Sequence, residues 1–269
     1  ATFEGVAEQI IEFNMNIVDK VCDIVPAVKV QVAYYEQYGF EGLRAFDYTV
    51  NYAKGRGMFV IADCKRNDIG STAKCYSTAY LGETDINGKK ISAFPADMLA
   101  VNGYLGTDGI APFLEDVKAH DKGIFALVKT SNPSSGELQN LKLESGEYLY
   151  ERMGKLVEGW GKDRIGKYGY SDVGAVVGAT HPEEAERLRK ELKNTFFLIP
   201  GYGAQGGNAQ MLKCCFDERG LGGIVNNSRG IICAYRKPAY SGMNYAEAAR
   251  AACIDMQQDL ANTLGKIGR

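Results

Sequence analysis

The stretch Met58-Phe59-Val60-Ile61-Ala62-Asp63, followed by residues 71–81, decides the fold of this chain. The first part is a continuous apolar run that ends in a carboxylate, which is typical of a parallel strand buried on both faces. The second part is predicted to form a helix. The two together make one strand–helix unit, and units of the same kind recur on both sides of it along the chain.

Seven apolar runs predict strands, and each is followed by a predicted helix. The predicted strands cover 27–32, 58–63, 98–101, 124–128, 173–177, 196–199 and 223–225. The predicted helices cover 35–54, 71–81, 110–120, 147–161, 182–193, 208–218 and 244–266, and one more helix, over 3–24, opens the chain. Strict alternation of this kind selects an α/β fold. No GxGxxG fingerprint follows an early strand, which disfavours a Rossmann fold.

The length of 269 residues and the alternation fit a (β/α)8 TIM barrel. We therefore expect residues 1–269 to form a single barrel domain. A barrel closes with eight strands and only seven are predicted, so we expect the native first strand to precede Ala1 and to be absent from the given sequence. The polar stretches 82–93 and 132–146 exceed the usual strand–helix connections and are candidate functional loops.

Composition excludes several classes of function. The formal net charge is −2, from 31 Lys+Arg and 33 Asp+Glu, so no global basic field is available for nucleic acid. No apolar run approaches the roughly 18 residues of a membrane span. The seven cysteines form no CxxC pair, which argues against zinc and thioredoxin-like sites. We expect free thiols and a cytoplasmic location.

The end of the run 58–63 carries a dense cluster of charge. Asp63, Lys65 and Asp68 lie within six residues, at the strand end where barrels place catalytic groups. Asp63 and Lys65 are two apart and are predicted to point to the same side of an extended backbone. Lys29 interrupts the preceding apolar strand, where an unpaired charge is costly. A salt-bridged surface loop is the alternative interpretation of this cluster.

A second cluster follows the last two predicted strands. The segment 200–207 has the sequence Pro-Gly-Tyr-Gly-Ala-Gln-Gly-Gly, and its glycines let backbone N–H groups approach an anion closely. Arg229 follows the final strand and can hold a phosphate bidentately. Barrels often bind phosphate at these two places. The alternative is two glycine-rich turns and a surface arginine.

These residues resemble the orotidine 5′-phosphate decarboxylase family, in its longer bacterial form, from about residue 13 to residue 235. The features that carry the resemblance, in the family's order, are Lys29, the pattern Asp63-x-Lys65-x-x-Asp68-Ile69-x-x-Thr72, the turn Thr130-Ser131-Asn132-Pro133, the segment 200–207 and Arg229. The family normally has an aspartate at the end of the first barrel strand, which binds a ribose hydroxyl. Nothing in this sequence matches that aspartate.

The resemblance implies decarboxylation of orotidine 5′-monophosphate to uridine 5′-monophosphate (UMP) and CO₂, the last step of de novo UMP synthesis, with no metal or other cofactor. It implies catalytic roles for Lys29, Asp63, Lys65 and Asp68. Lys65 would stabilise and protonate the carbanion at C6, and Asp63 would lie beside the substrate carboxylate. Lys29 would hydrogen-bond the carboxylates and a ribose hydroxyl.

The resemblance also implies the residues that bind the substrate. Gln205, Arg229 and the backbone at Gly203 would hold the phosphate. Thr130 and Ser131 would bind the other end of the substrate, with Ser131 at the amide edge of the pyrimidine and residues 132–146 as a lid.

The family's assembly is a homodimer with composite active sites. By resemblance, Asp68, Ile69 and Thr72 would be contributed to the partner subunit's site. Arg66, inside the same pattern, is predicted to be a solvated or interface residue. Thr180 and Glu183 have the spacing of a capping box and predict a helix start.

Two alternatives remain open. One is a magnesium-dependent sugar-phosphate decarboxylase of the same barrel superfamily, which shares the Asp-x-Lys-x-x-Asp pattern. The continuation to Ile69 and Thr72 and the Gly-Ala-Gln-Gly-Gly segment favour the nucleotide enzyme. The other is a nucleotide-binding barrel without catalysis, against which the intact lysines and aspartates argue.

Overall fold

The computed structural model of the chain describes residues 1–203 and 208–265. The strands, in chain order, are β1 (Ala27–Gln31), β2 (Phe59–Arg66), β3 (Thr84–Ile86), β4 (Lys89–Ile91), β5 (Met98–Val101), β6 (Gly123–Lys129), β7 (Ser171–Val177), β8 (Thr195–Pro200) and β9 (Gly223–Asn226). The α-helices are α1 (Phe3–Val21), α2 (Ala33–Glu36), α3 (Gly39–Gly55), α4 (Gly70–Tyr80), α5 (Thr107–His120), α6 (Gly136–Gln139), α7 (Leu149–Gly161), α8 (Pro182–Glu191), α9 (Ala209–Leu212), α10 (Arg229–Ile232) and α11 (Tyr245–Leu264). Short 3₁₀ turns cover Pro133–Ser135, Lys213–Cys215, Ala234–Arg236 and Pro238–Tyr240.

The chain divides into two compact units. The first comprises Ala1–Gly123 and Ile231–Ile254, and the second comprises Ile124–Gly230 and Asp255–Arg269. All seven predicted strands are present, and each pairs in parallel with its neighbours inside its own unit. The single barrel domain over residues 1–269 stays a prediction.

In the first unit, β2 lies between β1 and β5. Val30 of β1 lies opposite Ala62 of β2, and Ile61 of β2 lies opposite Met98 of β5. The middle of β2 is buried, as a continuous apolar run predicts. Helices α3 and α4 contact β2, while α1 packs on α3. Lys29 and Asp63 are therefore carried by two adjacent parallel strands.

The loop predicted over 82–93 contains a β-hairpin, which the sequence analysis missed. Strands β3 and β4 pair antiparallel around Asn87 and Gly88, whose φ angles are +54° and +83°. Asn-Gly is the dipeptide that two-residue hairpin turns favour, because both central residues need positive φ. Every residue of both strands is exposed, so no alternation of buried apolar residues marked them.

In the second unit the parallel order is β6-β7-β8-β9. Ile124 of β6 lies opposite Val173 of β7, and Leu198 of β8 lies opposite Ile224 of β9. The candidate loop 132–146 begins with the 3₁₀ turn and α6. The carboxyl ends of these four strands share one edge of the sheet, so the segments after β6, β8 and β9 emerge on the same side.

Two predicted helices are shorter or divided. The helix predicted over 35–54 is split into α2 and α3, because Gly39, the first residue of α3, adopts a left-handed φ of +60°. The helix predicted over 208–218 consists of α9 and a 3₁₀ turn. Asp217 ends it, since its Oδ1 accepts hydrogen bonds from the N–H groups of Arg219 and Leu221 at 2.9 and 2.8 Å.

Candidate active site

Asp63 is the centre of a three-residue charge cluster at the end of β2. Lys29 Nζ lies 2.5 Å from Oδ2 of this carboxylate, and Lys65 Nζ lies 2.5 Å from Oδ1. Asp63 is 8% exposed, whereas the Lys65 side chain is 44% exposed. The structure thus brings together three of the four predicted catalytic residues. Each carboxylate oxygen has its own lysine, and one of the two ammonium groups remains open to solvent.

The backbone at Lys65 differs from the sequence prediction. Lys65 has a φ of +48°, in the left-handed region, and the pairing of β2 with β5 is irregular between Ala62 and Arg66. Lys65 and Asp63 are in contact, but the backbone between them is turned. The prediction that the two side chains lie on the same side of an extended backbone was therefore wrong about the backbone. A non-glycine residue held in this region costs about 1–3 kcal/mol and persists only where its surroundings enforce it.

The electrostatics of the cluster keep Asp63 ionised. Burial by itself raises the pKa of this carboxyl, because a charge is poorly solvated inside the protein. The charge of Lys29 and the hydrogen bonds from Lys29 and Lys65 act in the opposite direction and outweigh burial, so the pKa of Asp63 lies below its ordinary value. The cluster therefore carries two positive charges on one carboxylate when both lysines are protonated.

The fourth predicted catalytic residue, Asp68, stands apart from this cluster. Its Oδ1 accepts a hydrogen bond from the Ile69 N–H at 2.8 Å, immediately before α4 begins. Ile69 is 55% exposed, and Thr72 is exposed in the first turn of α4. The start of α4 thus carries Asp68, Ile69 and Thr72. The side chains of the two predicted substrate-binding residues, Ile69 and Thr72, are exposed to solvent.

The segment after β6 is fixed by hydrogen bonds from α6. The Thr130 N–H donates to Gln139 Oε1 at 3.0 Å, and Gln139 Nε2 donates to the Thr130 hydroxyl at 2.7 Å. The Thr130 hydroxyl in turn donates to Asn132 Oδ1 at 2.6 Å. The N–H and the hydroxyl of Thr130 are therefore occupied, whereas the neighbouring Ser131 side chain makes no hydrogen bond within residues 1–203 and 208–265.

Ser131 is held by the segment after β7. A Cβ on Gly178 would lie 2.9 Å from the Ser131 backbone nitrogen, so this approach requires glycine. The Thr180 hydroxyl donates to the Ser131 carbonyl at 3.3 Å. The predicted capping box was wrong for this reason: α8 does begin at Pro182, but its N-cap is His181, which makes no side-chain cap hydrogen bond.

Lys129 is a buried lysine that the sequence analysis did not single out. It is 0% exposed, and its Nζ donates to Asn140 Oδ1 at 2.6 Å, above the Tyr150 ring. Burial lowers the pKa of Lys129, against the charge of Glu184 at 4.0 Å. The available signal was a lysine at the end of an apolar run, which is related to the signal at Lys29, a lysine inside such a run. Lys129 and Thr130 together attach α6 to the end of β6.

The predicted phosphate residues lie after β8 and β9. Gly203 has a φ of +74°, and a Cβ there would lie 3.4 Å from Asn227 Oδ1. Asn227 Oδ1 accepts a hydrogen bond from the Gly230 N–H at 3.1 Å, beside exposed Arg229. The structure therefore brings the Gly203 and Arg229 segments together. Gln205 lies outside the described residues.

Within residues 1–203 and 208–265, no group of three or more His, Cys, Asp or Glu side chains is arranged to hold a metal ion. In the same described part of the chain, no helix combines the length and the apolar character that crossing a membrane requires.

The sequence model of the family described as "Orotidine 5'-phosphate decarboxylase / HUMPS family" matches residues 10–240. The chain belongs to the orotidine 5′-phosphate decarboxylase/HUMPS family. An orotidine 5′-phosphate decarboxylase of Caldicellulosiruptor bescii is 51% identical over 230 residues, which cover 86% of this chain and 75% of that protein. The enzyme of the same name from Clostridium kluyveri is 44% identical over 258 residues, covering 96% of this chain and 85% of that protein.

A solved structure of a protein with a related name has a fold similar to that of this chain. A putative orotidine-monophosphate decarboxylase from Toxoplasma gondii superposes with a TM-score of 0.79 at 28% identity, covering 100% of this chain and 88% of that one. The predicted fold class, an α/β barrel of the TIM type, is confirmed.

Proposed function

We propose that this chain decarboxylates orotidine 5′-monophosphate to UMP and CO₂. The observation that carries the proposal is the Asp63 carboxylate with Lys29 on one oxygen and Lys65 on the other, both at 2.5 Å. Membership of the family and the names of the relatives at 44–51% identity support it. The family also includes HUMPS enzymes, so the relatives, rather than family membership alone, favour the nucleotide substrate.

The chemistry requires a cation at the carbon that loses CO₂. The C6–carboxylate bond breaks, CO₂ leaves, and the electron pair stays at C6, where no conjugated group accepts it. The half-exposed Lys65 ammonium places a positive charge and a proton at that carbon. The proton moves from Lys65 to C6, and the lysine regains one from solvent. Asp63 fixes the ammonium and sets a negative charge beside the departing carboxylate.

Lys29 keeps Asp63 ionised for this role. A buried carboxylate without a partner would take up a proton, and a protonated Asp63 would lose its hold on Lys65. Lys29 comes from the adjacent strand β1 and has 12% of its side chain exposed, so its charge acts in a poorly solvated place. Its remaining donors are available to a ribose hydroxyl.

The ends of the substrate bind away from C6. Arg229, Gln205 and the backbone at Gly203 bind the phosphate, and Thr130 and Ser131 bind at the pyrimidine. The hydrogen bonds of Thr130 support the turn that carries Ser131, whose side chain is available to the base as far as the described residues show. Binding energy from the phosphate is then available to orient the ring, which raises the rate as well as the affinity.

The active enzyme is a homodimer whose sites are composite. The Asp68 carboxylate accepts a hydrogen bond from the Ile69 N–H and is not part of the Lys29–Asp63–Lys65 cluster. Ile69 and Thr72 are exposed. A second copy that takes up Asp68, Ile69 and Thr72 explains both observations. All seven cysteines are free thiols, which supports a location in the reducing cytoplasm. No metal or organic cofactor takes part.

The test is turnover of orotidine 5′-monophosphate, followed by the change in its ultraviolet absorbance, with and without excess EDTA. We expect UMP and CO₂ in equal amounts and the same rate in both samples. No turnover of the nucleotide, together with decarboxylation of a sugar phosphate that stops with EDTA and returns with magnesium, would support the sugar-phosphate alternative. Binding of the nucleotide without turnover would identify a non-catalytic barrel.

A further inference from the structure

The left-handed backbone at Lys65 is unusual for its residue type. In the described part of the chain, the other non-glycine residues with positive φ are Asn87 and Asp121. Asn and Asp tolerate this conformation because their short polar side chains bond locally, whereas a lysine does not. Something next to Lys65 must therefore enforce the turn.

Arg66, the next residue, is anchored more firmly than the sequence predicts. Its guanidinium donates to Glu36 Oε1 at 2.7 Å and to the Tyr80 hydroxyl at 3.2 Å. It also lies over the rings of Tyr76 and Tyr80, at 5.5 and 5.8 Å from their centroids. The predicted solvated side chain is not found, because two tyrosines on α4 and a carboxylate at the end of α2 hold it in place. The alternative of an interface residue stays a prediction.

The backbone of Arg66 is fixed as well. Arg66 pairs with Val101 of β5, and its carbonyl accepts a hydrogen bond from the Asn102 N–H at 3.0 Å. On the other side of Lys65, the Cys64 side chain is buried, and burial raises the pKa of its thiol to about 12. Arg66 therefore faces the tyrosines of α4, while Asp63 and Lys65 contact each other in the charge cluster.

We propose that Arg66 is a positioning residue that holds the turned backbone at Lys65 and thereby places the Lys65 ammonium on Asp63. The inference rests on the proposed function, since it assigns to Arg66 an effect on the proton donor of that reaction. Without the guanidinium, the chain after Lys65 relaxes towards an ordinary φ and the ammonium leaves its position. Lysine is a poor substitute, because it lacks the planar group that stacks on two tyrosines.

The experiment compares Arg66→Met with Arg56→Met. Arg56 is a matched control, because it also lies over a tyrosine, at 5.7 Å from the Tyr52 centroid, and donates from Nε to the Asp19 carboxylate at 2.7 Å. Arg56 is the residue that follows α3, and its ion-pair partner in the described part of the chain is Asp19, outside the motif. Steady-state kinetics with orotidine 5′-monophosphate, calorimetric binding of UMP and thermal unfolding are measured for both variants and for the parent.

For Arg66→Met we expect kcat to fall by roughly 100-fold, the size of effect that a misplaced catalytic group produces. KM and the affinity for UMP should change by less than about threefold, because the nucleotide is bound elsewhere. Arg56→Met should leave kcat unchanged. If Arg66→Met does not fold, Glu36→Gln keeps the packing and weakens the same anchor, and should lower kcat by a smaller factor with KM unchanged.

Two results would overturn the inference. One is a parental kcat in a folded Arg66→Met, or in Glu36→Gln if the first does not fold. The other is loss of kcat, UMP binding and thermal stability together, which marks a general structural role. Failure of the proposed function is distinguishable, since then the parent protein itself does not turn over orotidine 5′-monophosphate.

Discussion

The Lys65 ammonium contacts the Asp63 carboxylate at 2.5 Å although the backbone between the two residues is turned rather than extended. This contact keeps a flexible cation at one point at the end of β2. In the proposed reaction, C6 of the substrate lies next to this ammonium. The predictions below test the contact, the groups around it and the binding of the rest of the nucleotide.

Lys65→Ala should abolish decarboxylation while leaving UMP affinity within about tenfold of the parent. The lysine acts at C6, and the phosphate and pyrimidine are held by other residues. Turnover and calorimetric UMP binding on the same preparation check this. Near-parental turnover in this variant would show that Lys65 is not the proton donor.

Asp63→Asn should destabilise the protein by about 1–3 kcal/mol near neutral pH, because it removes charge-assisted hydrogen bonds and leaves Lys29 without its carboxylate. The pKa of Asp63 is lowered on folding from its ordinary value of 3.8. Its contribution is therefore fully present above about pH 4 and is lost as the pH falls through the lower folded pKa. Unfolding of parent and variant from about pH 7 to about pH 3 should give curves that converge in acid. A difference that grows in acid would contradict the assignment.

Arg229→Ala should raise KM strongly with orotidine 5′-monophosphate and have almost no effect with orotidine, which lacks the phosphate. The exposed arginine follows β9 beside the Gly203 segment, where a phosphate is expected. Arg219→Ala is the control, since Arg219 is exposed in the same unit and pairs with Asp217 at 2.7 Å. An equal increase in KM with both substrates would show that Arg229 does not bind the phosphate.

Mixing inactive Lys65→Ala with inactive Asp68→Ala should restore roughly a quarter of the parental activity once subunits have exchanged. About half of the dimers are then mixed, and each mixed dimer has one site with both lesions and one site with none. Lys65→Ala mixed with Asp63→Ala is the control and should restore nothing, because both lesions then lie in residues that each subunit keeps for its own site. No recovery in the first mixture, with exchange confirmed by mass, would assign Asp68 to its own chain.

Gln139→Ala should raise KM severalfold with little change in the unfolding temperature. Gln139 makes two hydrogen bonds to Thr130, and without them the turn that carries Ser131 is less ordered before substrate binds. Glu137→Ala changes an exposed residue of the same helix and should leave KM unchanged. A parental KM for Gln139→Ala would show that α6 does not order this turn.

The sequence by itself determined the strand–helix order and the identity of the chemical groups. Continuous apolar runs that alternate with helices indicate strands buried on both faces of a sheet. Asp63, Lys65 and Lys29 stood out because a charge in or next to such a strand needs a partner. The same logic, applied to Lys129, would have found its buried site. The Asn87-Gly88 turn was also present as a local signal, but exposed strands give no hydrophobic pattern to support it.

The tertiary structure decided the positions of the catalytic and substrate-binding side chains. The turned backbone at Lys65 depends on contacts with residues distant in the sequence, among them Glu36, Tyr80 and Asn102. The anchoring of Thr130 by Gln139 and the approach of Gly178 to Ser131 likewise join separate segments. Spacing along a chain reports only local geometry, whereas a strained backbone is stable only when packing from several elements outweighs its cost. That balance is a property of the folded structure.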